Sequence, residues 1–344
     1  MERRHKIMLI VALSSSFTLF ITLALIYLCR RKRCSKDESW DKESNIEVDD
    51  MEMKGDLLRF EGGEDLNCFD ILDAPGEVIG KSSYGTLYRA NLVRNDSVVV
   101  LRFLRPTCTE KVQDVMHVVQ LLGSIRHPNL VPLCGFYLGP RGEKLLVHPF
   151  YRRGNLAQFI RDGNGESLKW SVIYRISIGI AGGLHYLHTG LQNPIIHGNL
   201  KSKNILLGRN QQPIVSDFGL HLLLNPSATQ EMLEDAALEG YNQPKSIKTN
   251  ATNLETDIFN FGVILFELLS GKEPKSNEKA NPDRDFKSNA ILDHRILGFS
   301  NPENRVDEEH ILKLTEIAIA CCSSSPSLRP NIKQICKKLR EIGS

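Results

Sequence analysis

Several kinds of protein are excluded by what the chain lacks. Its 344 residues hold only 8 cysteines, in no framework or metal-ligand spacing, so neither a disulfide scaffold nor a zinc module is encoded. Aromatic residues make up 7% with 2 Trp, and no Lys/Arg stripe carries interleaved rings, which argues against a nucleic-acid partner. The 25 Gly and 15 Pro are too few for collagen or low-complexity disorder. No repeat with a period of about 20–50 residues is present, so a solenoid is excluded as well. Net charge is also small, 43 Lys and Arg against 41 Asp and Glu.

The near-zero charge conceals three unlike segments. Residues 1–34 carry +6, residues 35–66 carry −8 and residues 67–344 carry +4. Within the first, the 23 residues from Ile7 to Cys29 have no formal charge and lie between Arg3-Arg4-His5-Lys6 and Arg30-Arg31-Lys32-Arg33. At about 1.5 Å per residue such a run crosses a ~30 Å hydrocarbon core, whereas the apolar part of a cleaved leader is usually only ~7–15 residues. The pattern predicts a six-residue tail (1–6), a transmembrane helix in lipid (7–29), a basic then acidic juxtamembrane linker (30–72) and a folded domain (73–344). Scattered free thiols favour a reducing compartment, which places that domain in the cytosol behind a single-pass membrane anchor.

In the body, Glu77–Ala90 and Ser97–Leu104 alternate or run apolar around turn residues and read as strands, and Leu145–Val147 as a short third segment of the same kind. Thr109–Leu122 has helical spacing, and Leu156–Ile160, Trp170–His188, Thr256–Leu269, Glu308–Cys321 and Pro330–Ile342 follow as helices. Strands first and helices afterwards predict an α+β architecture, a small β-rich lobe before a larger helical one.

Five motifs follow in order: Ile79-Gly80-Lys81-Ser82-Ser83-Tyr84-Gly85; His197-Gly198-Asn199-Leu200-Lys201-Ser202-Lys203-Asn204; Ser216-Asp217-Phe218-Gly219; Gly240-Tyr241-Asn242-Gln243-Pro244-Lys245; and Asp257-Ile258-Phe259. In this order they resemble the protein kinases over about 270 residues. Phe60-Glu61-Gly62-Gly63 and Arg126-His127-Pro128-Asn129-Leu130-Val131 resemble the leucine-rich-repeat receptor kinases of plants, although the repeats themselves are not present here.

The resemblance implies a bilobal kinase fold. Gly80, Gly85, Arg102, Lys201, Asn204 and Asp217 fall on its nucleotide-binding positions, and Asn204 with Asp217 on its Mg²⁺ ligands. It also exposes substitutions at the chemistry. The strand lysine is Arg102, a planar fork in place of a point charge. Its glutamate partner falls on Val118, which can form no ion pair. The catalytic base is Asn199, a neutral carboxamide, and losing a general base costs about 10²–10⁴ in rate. Gly198 replaces the arginine that reads a phosphorylated activation segment. Lys245 stands where a glutamate would meet Arg329, so those two cations are expected to separate. His148 is expected to pack behind the nucleotide pocket and Asp257 to brace the catalytic loop.

What this implies is a membrane-anchored pseudokinase, a scaffold or allosteric partner for receptor kinases or other signalling proteins. ATP and Mg²⁺ are then weakly held or absent. A slow Ser/Thr kinase using Arg102, Asn204 and Asp217, or a structural tether without nucleotide, are the alternatives. The activation segment 220–239, with Ser227 and Thr229, and the outer face of 109–122 are the expected contact surfaces.

Overall fold

The computed structural model describes residues 55–93, 96–162, 169–241, 253–274 and 305–343. The elements run β1 (Asp56–Arg59), α1 (Cys68–Leu72), β2 (Gly76–Ser82), β3 (Gly85–Leu92), β4 (Ser97–Leu104), α2 (Val112–Ser124), β5 (Gly135–Leu138) and β6 (Lys144–Pro149). There follow α3 (Leu156–Asp162), α4 (Trp170–Thr189), β7 (Ile205–Leu207), β8 (Pro213–Val215), α5 (Pro226–Leu238), α6 (Leu254–Ser270), α7 (Arg305–Cys321) and α8 (Ile332–Gly343). The expected transmembrane helix 7–29 lies outside the described residues, and among those described no helix is long and apolar enough to cross a membrane.

Six antiparallel strands form one sheet in the order β1-β5-β6-β4-β3-β2. The Val98-Val99-Val100 run makes β4 a strong strand former at the sheet's centre, its branched side chains packing on a pleated surface. The linker boundary at residue 72 needs correction. Leu57 and Leu58 lie in β1, which pairs with β5 from Asp56↔Leu138 to Arg59↔Gly135. Asn67 then caps α1 by accepting the Asp70 N–H, and Leu66 and Ile71 join a small core with Ala90, Leu92 and Val147. The acids between these few apolar residues masked the strand. A handful of buried side chains is enough when the partner strand already exists.

The helical lobe is built around α6. Every residue from Asp257 to Leu269 is buried, so the helix is enclosed on all sides by neighbours. Asn253 caps its start by accepting from the Thr256 amide, and Gly271, at φ +65°, ends it in the left-handed conformation. In α8 the spacing Ile332, Ile335, Cys336, Leu339, Ile342 puts one apolar stripe against the rest of the lobe. The predicted helices are all present with ends shifted by a few residues. Thr109 to Lys111, however, precede α2: Thr109 forms an isolated antiparallel bridge with Leu224 instead. Helix α5, inside the activation segment, was not anticipated, although Asn225-Pro226 is a helix-start signature. The Asn225 side chain accepts the Ala228 amide, and proline occupies the first helical position.

Candidate functional site

The cleft between the lobes is framed by β2, β3 and β4 above and the catalytic loop below. Gly80 follows a bulge in β2, and Gly85 opens β3 so close to β4 that a β-carbon would collide with the Phe103 carbonyl. Glycine is therefore required at 85 by sheet packing, apart from any ligand. Tyr84, at the hairpin tip between Ser82 and Gly85, turns inward and is only 6% exposed. Burial pushes its phenol pKa up, while the neighbouring Arg102 guanidinium opposes that shift.

Arg102 projects from β4 into the cleft. Val118 offers it no carboxylate: that side chain packs as a half-buried apolar group against the main core. The guanidinium instead reaches the Asp217 carboxylate, Nη2 to Oδ1 at 2.5 Å, with 7% and 14% of the two side chains exposed. Asp217 itself sits at φ +63°, a left-handed conformation uncommon for a residue with a side chain. Behind the pair is a cavity of about 30 Å³ lined by Leu122, Leu133, His148, Phe218 and others. His148 takes the back-wall position expected of it. Its Nδ1 lies 2.9 Å from the Pro132 carbonyl, and desolvation in the cleft lowers its pKa, favouring a neutral ring that donates there.

The catalytic loop is tied together from within. Asp257 accepts the His197 and Gly198 amides at 2.7 and 3.0 Å and lies 2.9 Å from His188 Nε2, the bracing role expected of it. Asn204 donates from Nδ2 to the Asn199 carbonyl at 2.8 Å. Lys201 and Lys203 both reach Glu239, just beyond α5, at 3.2 and 3.3 Å. Gly198 has φ +78°, and a β-carbon there would lie 2.5 Å from His221 Nδ1. His221, from the activation segment, thus covers the place where position 198 would carry a side chain. Tyr84 and His221 were not singled out from sequence, since nothing in one chain shows which way a loop aromatic or a segment histidine turns. Lys245 lies outside the described residues. Arg329 is buried, donating to the Glu255 and Ser323 carbonyls at 2.8 and 3.0 Å and stacking over Phe259.

In this structure the side chains expected to meet a Mg²⁺-nucleotide are paired with one another or with neighbours. The one acidic ligand, Asp217, already holds a cation, the lysine suited to a phosphate holds a carboxylate, and Tyr84 is folded inward beside them.

Residues 74–339 match the family described as protein tyrosine and serine/threonine kinase. The chain belongs to that family, in its plant receptor-like kinase lineage. It is 35% identical to the putative kinase-like protein TMKL1 of Arabidopsis thaliana, over 97% of this chain and 52% of that protein. With the probable inactive receptor kinase At3g08680 of the same plant it shares 30% over 96% of this chain and 55% of the relative. The chain thus spans about half the length of these curated relatives. Among solved structures, the maize SIRK1 kinase domain bound to AMP-PNP superposes with a TM-score of 0.70 at 29% identity, covering 84% of this chain and all of that one. The pseudokinase domain of BIR2, an immune regulator of the RLK/Pelle family, gives 0.63 at 30%, over 77% and 80%. The two-lobed kinase fold is therefore shown, and some relatives carry the description inactive or pseudokinase.

Proposed function

We propose that this chain is a pseudokinase that acts by binding, as a scaffold or allosteric partner beside an active receptor-like kinase. The observation that supports it best is the Arg102–Asp217 ion pair. A cation on the carboxylate that would hold Mg²⁺ stabilises the fold without metal, and the neutral Asn199 leaves no base to take a substrate proton. Lys201, the lysine expected to touch a transferring phosphate, is likewise paired within the chain, with Glu239. Signalling then rests on surfaces set by the fold, and a nucleotide, where one enters, acts as a structural ligand that shifts populations. The apolar run 7–29 anchors the chain in a membrane with the kinase-like domain on the cytosolic side.

The test is a thermal-shift titration of the full chain with ATP, with and without Mg²⁺, alongside a phosphotransfer assay on a generic Ser/Thr substrate. The expected result is no Mg²⁺-dependent shift and no label incorporation. Incorporation that disappears in Asp217→Ala would overturn the reading in favour of a slow kinase. A ligand present at 100 times its Kd adds about 2.7 kcal/mol, so an ordinary nucleotide site would be visible.

A further inference from the structure

Lysine is almost never fully buried unless its charge is paired. Lys144 in β6 is 3% exposed. Its ammonium donates to the Thr109 hydroxyl at 2.8 Å and to the Gly142 carbonyl at 3.3 Å, both neutral groups, and no carboxylate pairs with it among the described residues. Burial lowers its pKa, and no anion opposes that shift. The anion missing from this arrangement has one obvious point of attachment, the Thr109 oxygen itself. That hydroxyl sits at the surface end of the contact, donating to the Pro106 carbonyl at 3.2 Å.

The loop that carries it clasps the activation segment. Glu110 N–H donates to the Leu223 carbonyl at 3.2 Å, Asn225 N–H to the Cys108 carbonyl at 2.9 Å, and Asn225 Nδ2 to the Thr107 carbonyl at 2.9 Å. Asn225 is also the cap of α5, and Glu239 beyond its far end holds Lys201. Whatever fixes residues 106–110 therefore fixes the start of the helix that closes over the catalytic loop.

We propose that Thr109 is a phosphoacceptor whose phosphate docks on the buried Lys144 ammonium and tightens the clasp between the 106–110 loop and the activation segment. The inference rests on the reading that this chain works beside an active Ser/Thr kinase, which supplies ATP. The Thr109 oxygen bonds to the γ-phosphorus, the bridge to the β-phosphate breaks, ADP leaves, and the hydroxyl proton passes to a carboxylate of that second kinase. The dianion then replaces a neutral acceptor with an anionic one, turning an ammonium–hydroxyl contact into an ion pair.

The decisive experiment installs phosphothreonine at 109 by genetic encoding in the full chain, held in detergent, so that no kinase is needed and a failure of the scaffold reading does not bear on the result. The second ionisation of the phosphate is followed by ³¹P NMR with Lys144 present and in Lys144→Met. With Lys144 the phosphate should lose its proton more readily, by about a factor of ten, as expected for an ammonium in contact. Amide exchange at 223–225 should slow severalfold in the same sample. Identical titration curves with and without Lys144, or faster exchange at 223–225, would overturn the proposal. Should Lys144→Met fail to fold, Thr109→Glu answers the same question: melting temperature rises if a carboxylate meets the ammonium and falls if it does not.

Discussion

The Arg102 guanidinium lies 2.5 Å from the Asp217 carboxylate, joining β4 to the segment after β8 across the interlobe cleft with both side chains almost wholly withdrawn from water. In an active member of the family these two groups serve phosphate and metal respectively. Here each neutralises the other. Breaking a buried pair from one side costs about 3–5 kcal/mol, because the remaining charge is left without a partner. Asp217→Ala should therefore destabilise the fold by that order in chemical denaturation. A change under 1 kcal/mol would mean that the pair is open in solution.

Releasing the carboxylate should restore metal binding before it restores catalysis. In Arg102→Lys combined with Val118→Glu the new lysine has a glutamate of its own, leaving Asp217 for Mg²⁺. A Mg²⁺-dependent thermal shift with ATP is expected in this variant, still without phosphotransfer, because Asn199 cannot accept a proton. Label transfer would then require Asn199→Asp. Transfer by the double variant alone would show that the base position is dispensable.

Gly198 should resist replacement for two separable reasons. Its φ of +78° costs an L-residue about 1–2 kcal/mol, and a β-carbon would lie 2.5 Å from the His221 ring. Gly198→Ala is expected to lose about 2 kcal/mol or more, of which His221→Ala in the same chain recovers only the steric part. Full additivity of the two changes would place His221 elsewhere.

Glu267 makes stability depend on pH. Burial raises its pKa from 4.5 to about 7, and it accepts a hydrogen bond from the Tyr241 hydroxyl, which in turn accepts the Ser202 amide at 2.8 Å. The folded state thus holds a proton that the unfolded chain releases above its ordinary carboxylate range. This contribution is fully present below about pH 4.5 and falls away as pH rises to about 7, by on the order of 3 kcal/mol. Denaturation midpoints measured across this window should show the slope in the wild type and lose it in Glu267→Gln. An unchanged slope in the glutamine variant would assign the dependence to another group.

Much of this was legible in one dimension. The helices at 156–160, 170–188, 256–269, 308–321 and 330–342 announced themselves through apolar spacing, since burying one face of a helix imposes its own period. The expectation of a base at Asn199, a lysine at Arg102 and its partner at Val118, each met by another residue type, also comes from the sequence, because motif order assigns each position a chemical task. β1 could not, since two leucines among acids carry no period. The inward turn of Tyr84 and the Lys201–Glu239 contact were equally hidden.

The amino-acid sequence by itself determined the kinase fold, and it determined that Arg102, Val118 and Asn199 stand where the family resemblance leads one to expect a lysine, a glutamate and an aspartate, for both follow from which side chains stand where along the chain. What the remaining groups do instead was decided only by tertiary structure. Arg102 and Asp217 are 115 residues apart, and whether a guanidinium meets a carboxylate, a metal or water depends on which groups the fold brings within a few ångströms once water has been excluded.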